Sequence, residues 1–119
     1  MVDQVAIFFL SGHETSASAL AWTLYLLAMH LDWQGRLAVE AAAVTSGFAS
    51  VSKLRVSRDV FREGLLLYPP VPMMVRKTKC SEDMRGRAAP KGAQIVLSLW
   101  HLHRHERLWD NPDGFDLTR

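Results

Sequence analysis

The chain has 119 residues, enough for one small domain, and 49% of them are hydrophobic while 22% are charged. This balance excludes an intrinsically disordered protein. The net charge of +2 gives no general case for a nucleic-acid partner, whereas a pI near 9.0 permits a local basic face for an acidic protein. A single cysteine excludes an internal disulfide bond and is consistent with a reducing, cytoplasmic location.

The first predicted element is a long helix over residues 3–31, in which apolar side chains fall on nearly every face. Such a helix is typically buried all round. The run Ser11-Gly12-His13-Glu14-Thr15-Ser16 interrupts it and breaks the stretch of about 18 apolar residues that a membrane span needs. Gly12 costs about 1 kcal/mol relative to Ala, and Thr15 can bond backward to a carbonyl and loosen the helix. The run indicates either a site where a small molecule approaches the backbone and receives protons, or a plain kink.

Shorter helices and a small sheet are predicted to follow. Asp32 and Ser57 can cap two helices, because a short polar side chain accepts hydrogen bonds from the first amides of a helix. The later of these two helices, which begins after Ser57, ends before Pro69, since proline excludes helical geometry at the residue before it. In chain order we predict a helix at 33–45, a loop at 49–56, a helix at 58–67, strands at 71–79 and 94–97, and a short helix at 98–106.

A carboxylate near the end of the third predicted helix is a second candidate site. Glu63 stands one helical turn before Leu66, and the segment Tyr68-Pro69-Pro70-Val71-Pro72 follows. Arg62 is the neighbouring cation. Because adjacent helical residues are about 100° apart, Arg62 should point away from the Glu63 face and cannot simply serve as its partner.

The polar run in the first helix resembles the oxygen-binding groove of the cytochrome P-450 family, the haem-thiolate monooxygenases. The family pattern there is Ala/Gly-Gly-x-Asp/Glu-Thr-Thr/Ser, and Ser11 replaces the usual Ala or Gly. Residues 63–72 are similar to the family's Glu-x-x-Arg motif and its proline-rich exit, with Leu66 in the place of Arg. Residues 111–115 resemble its Asn-Pro-Asp-x-Phe segment, and Arg119 falls on the Arg of its Phe-x-Pro-x-Arg motif. These motifs agree in order and spacing over most of the chain.

The resemblance implies a mainly α fold with a small β-sheet, that is, a partial cytochrome P-450 fold. Residues 1–119 would form a single partial domain, from the central helix to just before the haem-cysteine loop. The implied reaction inserts one oxygen atom from O₂ into an apolar organic substrate, with haem b as cofactor and a ferredoxin or flavin reductase as electron donor. Neither a nucleic-acid partner nor a membrane span is implied, and a soluble bacterial member is the expected type. Without the cysteine loop, the chain alone is expected to be inactive.

The same resemblance implies roles for individual residues. Thr15 would hold the proton network at the oxygen site, and Glu14 would feed it. Arg76, otherwise a solvated charge, would pair with a haem propionate. The other implied residues are Ser11 and Gly12 at the cofactor, Val71, Met73 and Met74 in the substrate pocket, and the structural pair Glu63 and Arg119. No metal ligand is expected, because the axial cysteine would lie outside these residues.

Two other classes of protein remain open. One is a truncated or decayed, non-catalytic chain whose helices associate with a partner. The other is a small metal-binding module that uses His101, His103 and His105, which could lie on one face of a strand. Cys80 could be mistaken for the haem ligand, but a structural cysteine is favoured because no Phe-x-x-Gly-x-Arg-x-Cys-x-Gly loop surrounds it.

Overall fold

The helices expected from the sequence are present in the computed structural model, which describes residues 2–44 and 47–118. The described chain is mainly α-helical with little β-sheet, as predicted, and its strands form two small antiparallel pairs. The elements in chain order are α1 (Val2–Met29), α2 (Leu31–Ala43), a 3₁₀ helix (Phe48–Lys53), α3 (Arg55–Leu67), β1 (Met73–Lys77), β2 (Glu82–Asp83), β3 (Ala88–Ala89), β4 (Gln94–Ser98) and α4 (Leu99–His103).

Helix α1 is a single long helix, as predicted, but its burial differs from the prediction. It continues through the polar run at residues 11–16, where Thr15 bonds backward to the Ser11 carbonyl, as expected. It is not buried all round, because Phe8 near its N-terminus is 80% exposed. The buried residues of α1 all belong to its C-terminal half and are Ala19, Thr23, Leu26 and Leu27. Burial therefore follows the position of α3, which packs against α1, and not the apolar composition of the helix.

Gly64 allows α3 to approach α1 closely. A Cβ atom at this position would lie 2.7 Å from Thr23 Oγ1 and 3.6 Å from Thr23 Cα. The Thr23 hydroxyl is itself fixed, because it donates a hydrogen bond to the Ala19 carbonyl at 2.7 Å. Val60 and Leu67, one turn on either side of Gly64, are the largest fully buried side chains that the structure describes. The contact between these two helices is thus the centre of the described core.

Helix α3 begins at Arg55, three residues earlier than predicted, and Ser57 is not its cap. The carboxylate of Glu40, on α2, accepts hydrogen bonds from the Val56 amide at 2.8 Å, the Ser57 amide at 2.9 Å and the Ser57 hydroxyl at 2.9 Å. Burial acts to raise the pKa of Glu40, but these bonds, with one from the Arg55 amide, outweigh it and lower the pKa below its ordinary 4.5. A neighbouring helix therefore supplies the cap.

Helix α2, the 3₁₀ helix and helix α4 differ from the prediction in their caps or in where they begin and end. Helix α2 has His30 at its N-cap position without a side-chain bond, so the predicted Asp32 cap is wrong. The predicted loop at 49–56 is largely the 3₁₀ helix, which α3 follows after Leu54. Helix α4 is shorter than predicted, and the Ser98 side chain caps it by accepting a hydrogen bond from the His101 amide.

The two predicted strands pair with each other. Strands β1 and β4 are antiparallel, with Met73 opposite Ser98 and Lys77 opposite Gln94. A second short pair, β2 with β3, was not predicted, because two-residue strands leave no periodic signal in the sequence. Among the helices formed by the described residues, none has the length and apolar character needed to cross a membrane.

Candidate functional site

The polar run on α1 is the first candidate site. Beside Gly12 there is open space: an added Cβ would meet no described atom within 4 Å outside the glycine's own stretch of helix. The hydroxyl of the half-buried Thr15 donates a hydrogen bond to the Ser11 carbonyl. Its oxygen lone pairs therefore remain able to accept a hydrogen bond from an approaching donor. Exposed Glu14 is adjacent, so the structure brings all four predicted residues of this site into little more than one helical turn.

The Glu63 carboxylate is the second candidate site. Glu63 is 6% exposed, and it accepts a hydrogen bond from the Asp116 amide at 3.2 Å, which joins α3 to a segment 53 positions later. The predicted partner Arg119 lies outside the described residues, so the pair Glu63 and Arg119 stays a prediction. Leu66 contributes no charge to this site.

A cavity of about 200 Å³ lies beside Glu63. Its walls are formed by Asp59, Arg62, Glu63, Leu66, Trp109 and Leu117. Arg62 and Glu63 both line this cavity, and the expectation that Arg62 cannot simply serve as the partner of Glu63 stays a prediction.

The C-terminal end of α3 is held by two residues that the sequence analysis did not assign to it. His103 Nδ1 lies 2.9 Å from the Leu66 carbonyl oxygen, and the Arg104 guanidinium donates to the Leu67 carbonyl. The last carbonyls of a helix have no donor within the helix, so these side chains satisfy them. Because a carbonyl only accepts, the His103 Nδ1 atom must carry the proton.

Aromatic rings extend this contact from α4 to α1. The Arg104 guanidinium lies 3.4 Å from the Trp100 ring centroid and pairs with Asp113 at 3.0 Å. The Tyr68 and Trp22 rings stack at 4.1 Å with an interplanar angle of 5°. Together these contacts fix the proline-rich segment after α3, which leads directly into β1.

The residues predicted at the propionate and in the substrate pocket lie in or just before β1. Met74 and Arg76 are two positions apart, so they project from the same side of the strand, whereas Met73 projects from the other. Arg76 is exposed and Met74 is half-buried. Val71, before the strand, is exposed as well. The structure therefore brings Met74 and Arg76 together and separates Met73 from them.

The Cys and His residues that the structure describes form no metal cluster, and the surroundings of Cys80 bear on its suitability as a haem ligand. The exposed Cys80 thiol donates to Glu82 Oε1 at 3.0 Å, and this hydrogen bond, together with desolvation, raises the pKa of the thiol. Since iron binds the thiolate, this environment disfavours Cys80 as an axial ligand. No three His, Cys, Asp or Glu side chains in residues 2–44 and 47–118 are placed to hold a metal ion. The metal-binding alternative thus gains no support.

Comparison with known proteins gives a consistent result. The family model described as Cytochrome P450 matches residues 1–119. Cytochrome P450 4A10 of Mus musculus is 36% identical over 98% of this chain, and cyclooctat-9-en-7-ol 5-monooxygenase of Streptomyces melanosporofaciens is 35% identical over 100%. The crystal structure of the cytochrome P450DA heme domain superposes with a TM-score of 0.89 at 33% identity, over 98% of this chain and 27% of that one.

The chain spans 24% and 27% of the length of the two curated relatives. The mouse and Streptomyces proteins are almost equally similar, so the expectation of a bacterial member stays a prediction. The family match covers residues 1–119, and the superposition covers 98% of the chain. On these grounds the chain belongs to the cytochrome P450 family.

Proposed function

We propose that the complete protein carrying this segment is a haem-dependent monooxygenase that inserts one oxygen atom from O₂ into an apolar organic substrate. The observation that carries the proposal is the polar run at residues 11–16 of α1, which is called the α1 groove below. Gly12 leaves open space beside the helix, and Thr15 is fixed by its bond to the Ser11 carbonyl. When bound, haem supplies the chemistry of O₂ activation.

The residues present fit the edge of such a cofactor. A flat macrocycle needs an unobstructed helix surface, which the Gly12 turn offers, and a cation for its carboxylates, which Arg76 on β1 offers. Cys80 does not fit as the axial ligand because its thiol is hydrogen-bonded to a carboxylate and its pKa is raised. We therefore expect the axial thiolate to come from a cysteine other than Cys80, and the 119-residue chain alone to be inactive.

The task of the groove residues is the supply of protons. The Thr15 oxygen accepts a hydrogen bond from a water molecule or other donor, because its own proton is committed to Ser11. Glu14 is exposed and can exchange protons with solvent on one side and with that donor on the other. Glu14 and Thr15 thus form the proposed relay, with Ser11 as the fixed anchor.

The substrate class and the electron donor follow from the surfaces. Exposed apolar side chains on α1 upstream of the groove, among them Val5 and Phe9, suit an apolar substrate. Met74, on the same side of β1 as Arg76, is proposed to contact the substrate, with Val71 and Met73 at the margin. Exposed Lys53, Arg55 and Arg58 suit an acidic donor, a ferredoxin or a flavin reductase. We propose no nucleic-acid partner.

The test is the substitution Thr15→Ala in the complete haem domain. Loss of the hydroxyl should leave oxygen consumption largely intact but divert it to peroxide, and it should lower product formation by about 10²-fold, the lower end of the typical effect of removing one proton-transfer group. Product and hydrogen peroxide would be measured per electron consumed. Thr15→Ser, which keeps the hydroxyl, and Ser16→Ala, which removes a neighbouring exposed one, should both stay close to the parent. Equal coupling in all variants would exclude Thr15 from the relay.

A further inference from the structure

Strands β1 to β4 form one continuous hairpin, called the β-arm. Lys77 lies opposite Gln94 in the outer pair of strands, and Glu82 lies opposite Ala89 in the inner pair. Both residues of the inner pair are five positions closer to the middle of the segment, so the two pairs keep the same register. Residues 79–88 are all exposed, so this end of the β-arm extends away from the core.

The tip of the β-arm holds an arginine in a backbone conformation that arginine rarely adopts. Met84 and Arg87 exchange backbone hydrogen bonds of 2.9 and 3.2 Å, which leaves Arg85 and Gly86 as a two-residue turn. Both turn residues have positive φ, 56° and 80°, the pattern of a type I′ hairpin turn. Glycine adopts this geometry freely and asparagine tolerates it, whereas a long side chain is strained there. A strained residue of this kind points to a function for its side chain.

Positive charge is concentrated in the β-arm. Residues 77–91 contain five Lys or Arg and two Asp or Glu, a net charge of +3, whereas the whole chain carries only +2. The five cations are all exposed, and within the described ranges 2–44 and 47–118 they form no ion pair: Lys77, Lys79, Arg85, Arg87 and Lys91. We expect the same exposure in the complete protein, because Lys and Arg are almost never fully buried unless they are paired.

The two carboxylates of the β-arm are used to stabilise the arm itself. Asp83 Oδ1 accepts a hydrogen bond from the Gly86 amide at 2.9 Å, which fixes the turn. Glu82 Oε1 accepts one from the Cys80 thiol at 3.0 Å. Neither carboxylate is paired with a cation, so the β-arm keeps a net positive charge.

A surface of anionic phospholipid fits the β-arm better than an acidic protein does. A stable protein partner usually covers about 800 Å² on each side, around an apolar centre. Residues 77–91 offer only one large apolar side chain, that of Met84, which is 43% exposed. A lipid surface requires less, namely several dispersed cations and an apolar group that enters the interface. Met84 is adjacent to Arg85, so the tip meets both requirements.

We propose that the β-arm docks on a membrane surface that contains anionic phospholipids. Arg85 and Arg87 bind the headgroup phosphates, and Met84 enters the interface between them. Three further cations add long-range attraction: Lys77, Lys79 and Lys91. The contact is peripheral, and it uses none of the residues proposed above for the electron donor or the cofactor.

Vesicle co-sedimentation of the complete protein that carries this segment tests the proposal. Vesicles of phosphatidylcholine alone are compared with vesicles of equal parts phosphatidylcholine and phosphatidylserine. The protein should bind the anionic vesicles far more strongly, and added salt should weaken that binding. Arg85→Gln combined with Arg87→Gln should weaken it about 30-fold, since each cation near an anionic surface contributes roughly fivefold. Arg36→Gln combined with Arg107→Gln removes the same charge from exposed positions outside the β-arm and should bind like the parent.

Single substitutions at the tip separate the charge of Arg85 from its backbone conformation. Arg85→Asn suits the positive φ and should not lower Tm, yet it should weaken binding about fivefold. Arg85→Lys keeps the charge and should bind like the parent. Met84→Ser should weaken binding about threefold, because less than half of this side chain is available to enter the interface.

Three results would overturn the proposal. The first is an equal loss in the double variant of the β-arm and in the matched control, which would mean that only the net charge matters. The second is equal binding of the parent to both kinds of vesicle. The third is a parent that binds neither kind but is retained by an acidic ferredoxin through Arg85 and Arg87, which would make the β-arm a docking surface for protein.

Discussion

Residues 2–10 and 17–29 of α1, on either side of the polar run, have similar composition and different environments. Residues 2–10 are as apolar as the C-terminal half, yet all of them are exposed, and Phe8 reaches 80%. In the C-terminal half, Thr23 and Leu26 are buried under α3. Two stretches of similar hydrophobicity on one helix are therefore packed in one case and open in the other. The apolar pattern of a helix therefore indicates which of its surfaces can be buried. The position of the neighbouring helix, here α3, determines which of them is buried.

The largest contrast between these regions should appear when a large apolar side chain is removed from each. Leu67 is 2% exposed at the α1–α3 contact, so Leu67→Ala in the 119-residue chain should cost about 2–5 kcal/mol of unfolding free energy. Phe8→Ala removes a larger side chain but should cost less than about 0.5 kcal/mol. Urea unfolding followed by circular dichroism measures both. Equal losses would mean that the first half of α1 is packed in solution, for instance by self-association.

A smaller contrast is expected between the two helical glycines. Gly64→Ala places a Cβ 2.7 Å from Thr23 Oγ1, and the stiff, hydrogen-bonded Thr23 cannot yield easily, so we expect a loss of about 1–3 kcal/mol. Gly12→Ala meets open space and should stabilise the chain by about 1 kcal/mol, the ordinary helix preference for alanine. Adding Thr23→Ala to Gly64→Ala should recover part of the loss. Without such recovery the steric explanation would be wrong.

The smallest effect is expected from the Glu40 cap, and it depends on pH. Hydrogen bonds lower the pKa of Glu40 in the folded state below its unfolded-state value near 4.5. The contribution of Glu40 to folding stability is therefore complete above pH 4.5 and is lost as the pH falls through the folded-state pKa. Glu40→Gln should therefore flatten the fall of the urea midpoint in acid. Ser57→Ala, which removes one of the donors, should flatten it less. A parent and Glu40→Gln with parallel pH profiles would contradict the cap.

The local features of the fold were predictable from sequence. The end of α3 at Leu67 follows from Pro69, and the β1–β4 pair follows from two short segments rich in β-branched and apolar residues. The cap of α3 was not predictable from the local sequence. Ser57 is a residue type that can cap a helix, but Glu40, on another helix, accepts more hydrogen bonds at this position. Sequence patterns describe what a residue can do locally, and tertiary contacts then choose among the candidates.

The same distinction between local pattern and tertiary contact applies to the residues of the candidate sites. Ser11, Gly12, Glu14 and Thr15 are adjacent in sequence, so their grouping on one turn needed no tertiary information. By contrast, the bonds from His103 and Arg104 to the end of α3 join residues 37 positions apart. No spacing rule within a helix or strand indicates such a pair, and His103 was instead considered as a metal ligand. The structure instead shows its Nδ1 atom bonded to the Leu66 carbonyl.

The three sets of bonds that hold α3 also imply an order of assembly. The Glu40 cap closes loops of 16 and 17 positions, the His103 bond closes one of 37, and the Asp116 bond closes one of 53. Closing the longest loop first would cost about 1 kcal/mol more chain entropy than closing the shortest. The α2–α3 pair should therefore form early in folding, with α4 and the Asp116 segment joining later. Helix α3 would then be fixed first at its N-terminus, by Glu40, and later at its C-terminus, by His103.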